Sequence, residues 1–153
     1  MPQRLVLLKL VLGWICAGHI LIGLLAFISG EAGIRFGSLL YGADFQPAPQ
    51  FEYTVRPIGA YMLGFAFLQV MAIRDPWRYR AVIDATIFVF ILRQFQRILY
   101  APDIFAAFGI APSRHWTTTV YMLSLAALLL VARLSMQAAP SAVGTAPQFG
   151  RKP

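Results

Sequence analysis

RAVIDATIFVFILRQFQRILY, residues 80–100, decides the fold. It is long enough to cross a bilayer as a helix, yet it carries Asp84, Arg93, Gln94, Gln96 and Arg97. Its longest stretch free of charges and amides is only 85–92. A central arginine costs at least about 2.5 kcal/mol in a lone membrane helix. If the segment crosses lipid, neighbouring helices must shelter it or water must reach it. If it lies flat, the chain has three spans.

The segments on either side decide between these. Before it stands Arg74-Asp75-Pro76-Trp77-Arg78-Tyr79-Arg80. Asp75 is suited to an N-cap and Pro76 to a first helical residue. A preceding helix over 56–73 therefore ends, and the next begins, within a few residues, as in an antiparallel helical hairpin. Three arginines lie at its tip, and Trp77 and Tyr79 suit a membrane interface. After it come a connection over 101–115 and an apolar run over 116–134. Another apolar run spans 5–28, roughly 36 Å as a helix, against about 30 Å of hydrocarbon. The expected architecture is all-α: an antiparallel up-down bundle of four transmembrane helices over 5–28, 56–73, 80–100 and 116–134.

Composition agrees. Of 153 residues 59% are hydrophobic and 12% charged, whereas soluble domains carry about 25% charged residues. So small a chain cannot bury that much apolar surface by itself. The net charge of +7 suggests orientation rather than nucleic-acid binding, because lysine occurs only at Lys9 and Lys152 and no dense basic run exists. Arg4, Lys9, the 74–80 turn, Arg133, Arg151 and Lys152 share one side, which the positive-inside rule makes cytoplasmic, with both termini. The three-span alternative would put the basic tail outside. A cleaved leader is not expected, since the first apolar run exceeds a 7–15-residue signal core. Cys16 has no partner for a disulfide, and bulky Trp14 and Ile15 argue against a lipoprotein acceptor.

Short interfacial helices are expected over 31–41, stopped by Gly42, and over 103–108, stopped by Gly109. Gln46 to Pro49 reads as extended loop, and Pro57 as part of a first helical turn. Ala60 and Gly64 could form a close-packing face. The stretch 136–153 reads as a flexible basic tail or an arm laid on a partner.

The residues Arg56-Pro57-Ile58-Gly59-Ala60-Tyr61, Ala72-Ile73-Arg74-Asp75-Pro76 and Leu92-Arg93-Gln94-Phe95-Gln96-Arg97 resemble the DoxX-like and related four-helix membrane proteins of bacteria, over roughly 15–135 in layout. The resemblance implies the four-helix architecture and the bacterial inner membrane. Some members are linked to quinone or thiol oxidation; no catalytic residue carries over.

Arg93 and Arg97 share a helix face, with Gln96 and Tyr100 beside it. Arg56 enters at a similar outer level, and Glu31, Glu52 and Asp103 lie in or near the outer connections. These groups form the candidate site, an anion or polar head-group pocket for a quinone or lipid, since intramembrane ionisable residues default to function. The structural alternative is an ion-pair lock with the three carboxylates, or arginines that snorkel to the interface. His19, between Gly18 and Gly23, could ligate a haem or chlorophyll metal; an interhelical hydrogen bond explains it more simply. Asp84 is explained by pairing with Arg80 one turn earlier. The paired phenylalanines Phe65 and Phe67, and Phe88 and Phe90, suit lipid contact or packing. No cysteine pair, metal-ligand set, hydrolytic triad or phosphate loop is present, so no enzyme activity is expected.

Two roles fit. The first is a non-catalytic accessory or scaffold subunit of a larger membrane complex, such as an energy-transducing one, with membrane lipids and other subunits as partners. The second is a stand-alone protein that binds a quinone-like or anionic amphiphile through Arg56, Arg93 and Arg97.

Overall fold

The computed structural model describes residues 3–44 and 47–137. Six helices follow in order: α1 Gln3–Ile28, α2 Gly30–Tyr41, α3 Pro49–Arg74, α4 Arg80–Leu99, α5 Ala101–Phe108 and α6 Pro112–Gln137. No strand occurs among the described residues. Three helices, Gln3–Ile28, Pro49–Arg74 and Pro112–Met136, are long and apolar enough to cross a membrane. Large apolar side chains such as Leu10, Phe27, Tyr61, Phe67, Phe88 and Val131 are exposed on the outside. A chain with this surface is a membrane protein, because water would not tolerate so continuous an apolar exterior.

Ser29 alone separates α1 from α2. Its extended backbone breaks the first helix, and its hydroxyl accepts from the Ala32 amide at 3.2 Å, capping the second. Gly42 (φ 68°) ends α2 and Gly109 (φ 60°) ends α5, both in the left-handed region that favours glycine. Both short helices thus form where the sequence places them. Arg114, at the start of α6, donates to the Leu39 and Leu40 carbonyls at 3.5 and 3.3 Å and so holds the end of α2. The Asp44 amide donates to the Phe108 carbonyl at 2.8 Å, tying the two outer connections together.

Four details depart from expectation. Helix α3 starts at Pro49, so Pro49 is its N-terminal proline and Pro57 lies inside the helix. Asp75 ends α3; its carboxylate accepts from the Arg78 amide at 3.1 Å across a turn, and α4 begins at Arg80. Asp75 is thus the C-cap of α3 and not the N-cap of α4, whose N-cap is Tyr79 without a side-chain hydrogen bond. Close packing falls on Gly59, not on Ala60 and Gly64. A Cβ on Gly59 would stand 2.6 Å from the Phe27 nitrogen and 2.8 Å from the Gly23 carbonyl, whereas one on Gly64 would meet nothing within 4 Å. Finally, α6 runs on to Gln137, with Met136 buried. The supposed tail therefore starts inside a helix, and the rest of it, 138–153, lies outside the described residues.

Helix α1 packs along α3, α6 and α2, while α4 packs chiefly on α6. The apolar core sits at the end shared with the 74–80 turn, where Leu8, Leu12 and Ile15 meet Ala72, Ile83, Ile87, Leu129 and Ala132. Helix α4 turns Ile83, Thr86, Ile87 and Gln94 inward, and exposes Phe88, Ile91, Leu92, Phe95 and Leu99.

Candidate functional site

Toward the α2 end the bundle opens into a cavity of about 370 Å³. That is within the usual size range of small-molecule sites. Its wall is mostly apolar. The polar groups on it are His19 of α1, Tyr41 of α2, Arg93 and Gln94 of α4, and Tyr121 of α6. Trp14 closes one side, its indole N–H donating to the Tyr121 hydroxyl at 2.6 Å.

Arg93 donates to the Tyr41 hydroxyl at 2.9 Å. Its guanidinium carbon lies 5.8 Å from the centre of the Tyr41 ring, and that of Arg97 lies 5.1 Å from the same centre. Arg97 also donates to the Thr119 hydroxyl at 3.4 Å and approaches His115 Nδ1 at 3.2 Å. A guanidinium can only donate, so Nδ1 accepts and the neutral His115 ring carries its proton on Nε2. That ring is fully buried, edge-on to Phe105 and Trp116, and its Nε2 has no hydrogen-bond partner among the described residues.

No acidic side chain meets either arginine. All six acidic side chains lie among the described residues. Glu31 pairs with Arg35 at 2.6 Å and Asp84 with Arg133 at 3.0 Å. Glu52 joins Glu31 and Asp44 around a separate polar depression beside α2, and Asp103 is exposed on α5. The expected lock between these carboxylates and the arginines is therefore not formed. Magnitudes show what this leaves open. A guanidinium inside a membrane costs at least about 2.5 kcal/mol, whereas a cation–π contact returns roughly 0.5–2 kcal/mol. Arg97 also has Thr119 and His115 as partners, and Arg93 is exposed.

The expected site is brought together only in part. Arg93 borders the cavity and Arg97 stands behind Tyr41. Arg56, Gln96 and Tyr100 are exposed and do not line it. Gln94 is the residue that sequence reading passed over. It is 2% exposed, and no hydrogen bond to its amide forms among the described residues; its Oε1 is a buried acceptor without a donor. The signal was present: Ile83, Ile87, Phe90, Gln94 and Arg97 follow the three- and four-residue spacing of one helix face.

His19 makes the interhelical bond that explained it most simply. Nδ1 lies 2.9 Å from Gln69 Oε1, the Gln69 amide donates to the Thr86 hydroxyl at 3.3 Å, and that hydroxyl donates to the Val82 carbonyl at 2.8 Å. Because Gln69 Oε1 accepts, Nδ1 carries the proton, and the other nitrogen of a neutral His19 has a free lone pair. Phe65 and Phe90 flank the ring edge-on, with centroids 5.6 and 6.1 Å away. No group of three or more metal-ligating side chains occurs among the described residues. Asp84 pairs with Arg133 through two hydrogen bonds of 3.0 and 3.2 Å, not with Arg80 as expected. The fork of a guanidinium on the facing helix matches a carboxylate better than a neighbour one turn away.

No protein-family model, no curated protein and no solved structure matches this chain.

Proposed function

We propose that the chain is a four-span inner-membrane protein of the DoxX-like kind that binds a quinone-like or anionic amphiphile in the cavity beneath α2. The observation that carries this reading is the cavity itself, an apolar chamber with Arg93, Gln94 and Tyr41 gathered on its wall. An apolar body would fill the space beside Trp14 and Leu125, and its polar head would face Arg93. Helix α4 serves as the fourth span because several of its polar groups are partnered by neighbouring helices: Asp84 by Arg133, Thr86 by Gln69, and Arg97 by Thr119 and His115. Its outward face carries Phe88, Ile91, Leu92, Phe95 and Leu99, with Asp84, Arg93 and Gln96 also exposed. Both termini then lie in the cytoplasm with the basic 74–80 turn, and the cavity lies in the outer half of the membrane.

The test is gentle detergent extraction followed by native mass spectrometry. One apolar small molecule bound per chain, and lost in Arg93→Leu, is the expected result. An empty chain in every mild detergent would contradict the reading. Recovery only within a large assembly would favour the accessory-subunit role, in which the same surface is covered by other subunits.

A further inference from the structure

Resting on that reading, we propose that the occupant of the cavity carries a hydroxyl whose proton it donates to Nε2 of His19, as a quinol or a long-chain alcohol can. His19 then sets the specificity of the site. A chain of hydrogen bonds fixes the state of its ring. The Thr86 hydroxyl has a single proton, and its 2.8 Å contact to the Val82 carbonyl is shorter than its 3.3 Å contact to the Gln69 amide. The proton therefore lies on the Val82 side, and Thr86 can only accept from Gln69. That turns the Gln69 nitrogen toward Thr86 and its Oε1 toward His19, 2.9 Å from Nδ1. With the amide fixed at its far end, Nδ1 carries the proton of the neutral ring and Nε2 keeps a lone pair. His19 is half-buried and lines the cavity. Its Nε2 makes no hydrogen bond among the described residues and, unlike Nε2 of His115, is not buried.

The rest of the wall is complementary. The Tyr121 hydroxyl accepts from Trp14 and the Tyr41 hydroxyl accepts from Arg93. Each keeps its own proton to offer, with no acceptor for either among the described residues. The wall thus combines hydrogen-bond donors with an open acceptor nitrogen. A quinone carbonyl, a carboxylate or a phosphodiester oxygen can only accept, so it answers a tyrosine or Arg93 and leaves Nε2 unmet. An anion also sets its charge against that lone pair. A hydroxyl both donates and accepts: its proton goes to Nε2 while its oxygen accepts from the wall. Sites that hydrogen-bond a ligand hydroxyl discriminate against analogues lacking it. Phe36, Phe90 and Leu125 line the space left for the apolar body.

The test uses the full-length protein, delipidated in detergent without oxygen and offered four probes: decylubiquinol, decylubiquinone, oleyl alcohol and oleate. Binding is read by native mass spectrometry. At least one hydroxyl probe is expected to bind at one per chain, roughly three- to tenfold tighter than its counterpart without the hydroxyl donor. Which of the two binds tighter tells an aromatic head from an alkyl one. His19→Phe keeps an aromatic ring beside Phe65 and Phe90 but removes the acceptor, and should erase the preference. Gly18→Leu plugs the cavity, which Gly18 lines; a Cβ there meets nothing within 4 Å, so the fold should hold while uptake falls. Should His19→Phe not fold, nitrogen-15 NMR of the histidine-labelled wild type reads the same contact. The protein has two histidines, and the unprotonated Nε2 of His19 should shift with decylubiquinol and not with decylubiquinone. Equal uptake of quinol and quinone and of alcohol and oleate would overturn the hydroxyl assignment and leave the amphiphile cavity standing. So would a preference that survives His19→Phe, or a His19 protonated on Nε2. Uptake unchanged by Gly18→Leu would put the probes on the lipid-facing surface, and if no probe binds, the cavity reading falls as well.

Discussion

Arg133 has the most to lose from a single change. It is nearly buried, with 9% of its side chain exposed, while its partner Asp84 is 53% exposed. Removing the carboxylate strands a buried guanidinium, whereas removing both partners leaves only packing to repair. Asp84→Leu is therefore expected to cost about 1–3 kcal/mol, and Asp84→Leu with Arg133→Leu to recover part of it. Melting temperatures of the two variants in one detergent check this; a double variant less stable than the single would contradict it. His19 belongs to the same scale. Gln69→Leu breaks both bonds of the His19–Gln69–Thr86 chain, for an expected loss of about 1–3 kcal/mol, again read by melting. At this scale the sequence was only half legible. It showed which polar residues had to be sheltered, because a charge in an apolar run is visible in one dimension. It did not show their partners. Asp84 had a candidate one turn away and took one forty-nine positions on, and Gln94 looked like one polar residue among several. Pairing across helices depends on how each helix is rotated about its axis, and hydropathy does not fix that rotation.

At the scale of the element, Gly59 decides how closely α3 can approach α1. With neighbouring backbone atoms at 2.6 and 2.8 Å from its added Cβ, Gly59→Ala forces the helices apart and is expected to cost about 1–3 kcal/mol. Gly64→Ala, five residues on and facing open space, should be neutral or gain up to about 1 kcal/mol through helix propensity. Similar losses from the two variants would show that the register of α3 on α1 is wrong. The helices themselves were readable because their stop signals are local. Ser29, Gly42 and Gly109 act through their own backbones, so the sequence alone places them. The start of α3 was misplaced by seven residues because Pro49 and Pro57 are equally good as first-turn residues in isolation. The chain from Pro49 to Val55 packs beside α2, whose Gly30 lies against the Glu52 backbone. A preference supplied by tertiary contact leaves no local mark.

For the whole molecule, the bundle has two unlike halves. One end is filled by apolar side chains of all four long helices. The other is roofed by α2, whose end Arg114 holds, and is open inside. The apolar composition made membrane residence legible from the start, and the lengths of the apolar runs with the 74–80 turn made the number of long helices so. The cavity was not legible, because a void is a property of how helices diverge and no residue encodes it. The roof also implies a prediction at this scale. Arg114→Ala removes the hydrogen bonds to the Leu39 and Leu40 carbonyls, which should loosen α2 over the cavity and raise amide exchange in residues 36–41 while leaving the 5–15 segment of α1 protected. Uniform exchange in both regions would contradict a separately held roof.

Whether α4 crosses the lipid as a fourth span is measured directly by labelling. In a Cys16→Ala background, a cysteine at exposed Arg78 in the turn and another at exposed Ala107 on α5 are each treated with a membrane-impermeant maleimide in right-side-out and inverted vesicles. Four spans predict opposite sides: Arg78→Cys modified only in inverted vesicles, Ala107→Cys only in right-side-out ones. Modification of both from the same side would mean that α4 lies along the surface, and the outer-half cavity, its arginines and its ligand would have to be abandoned.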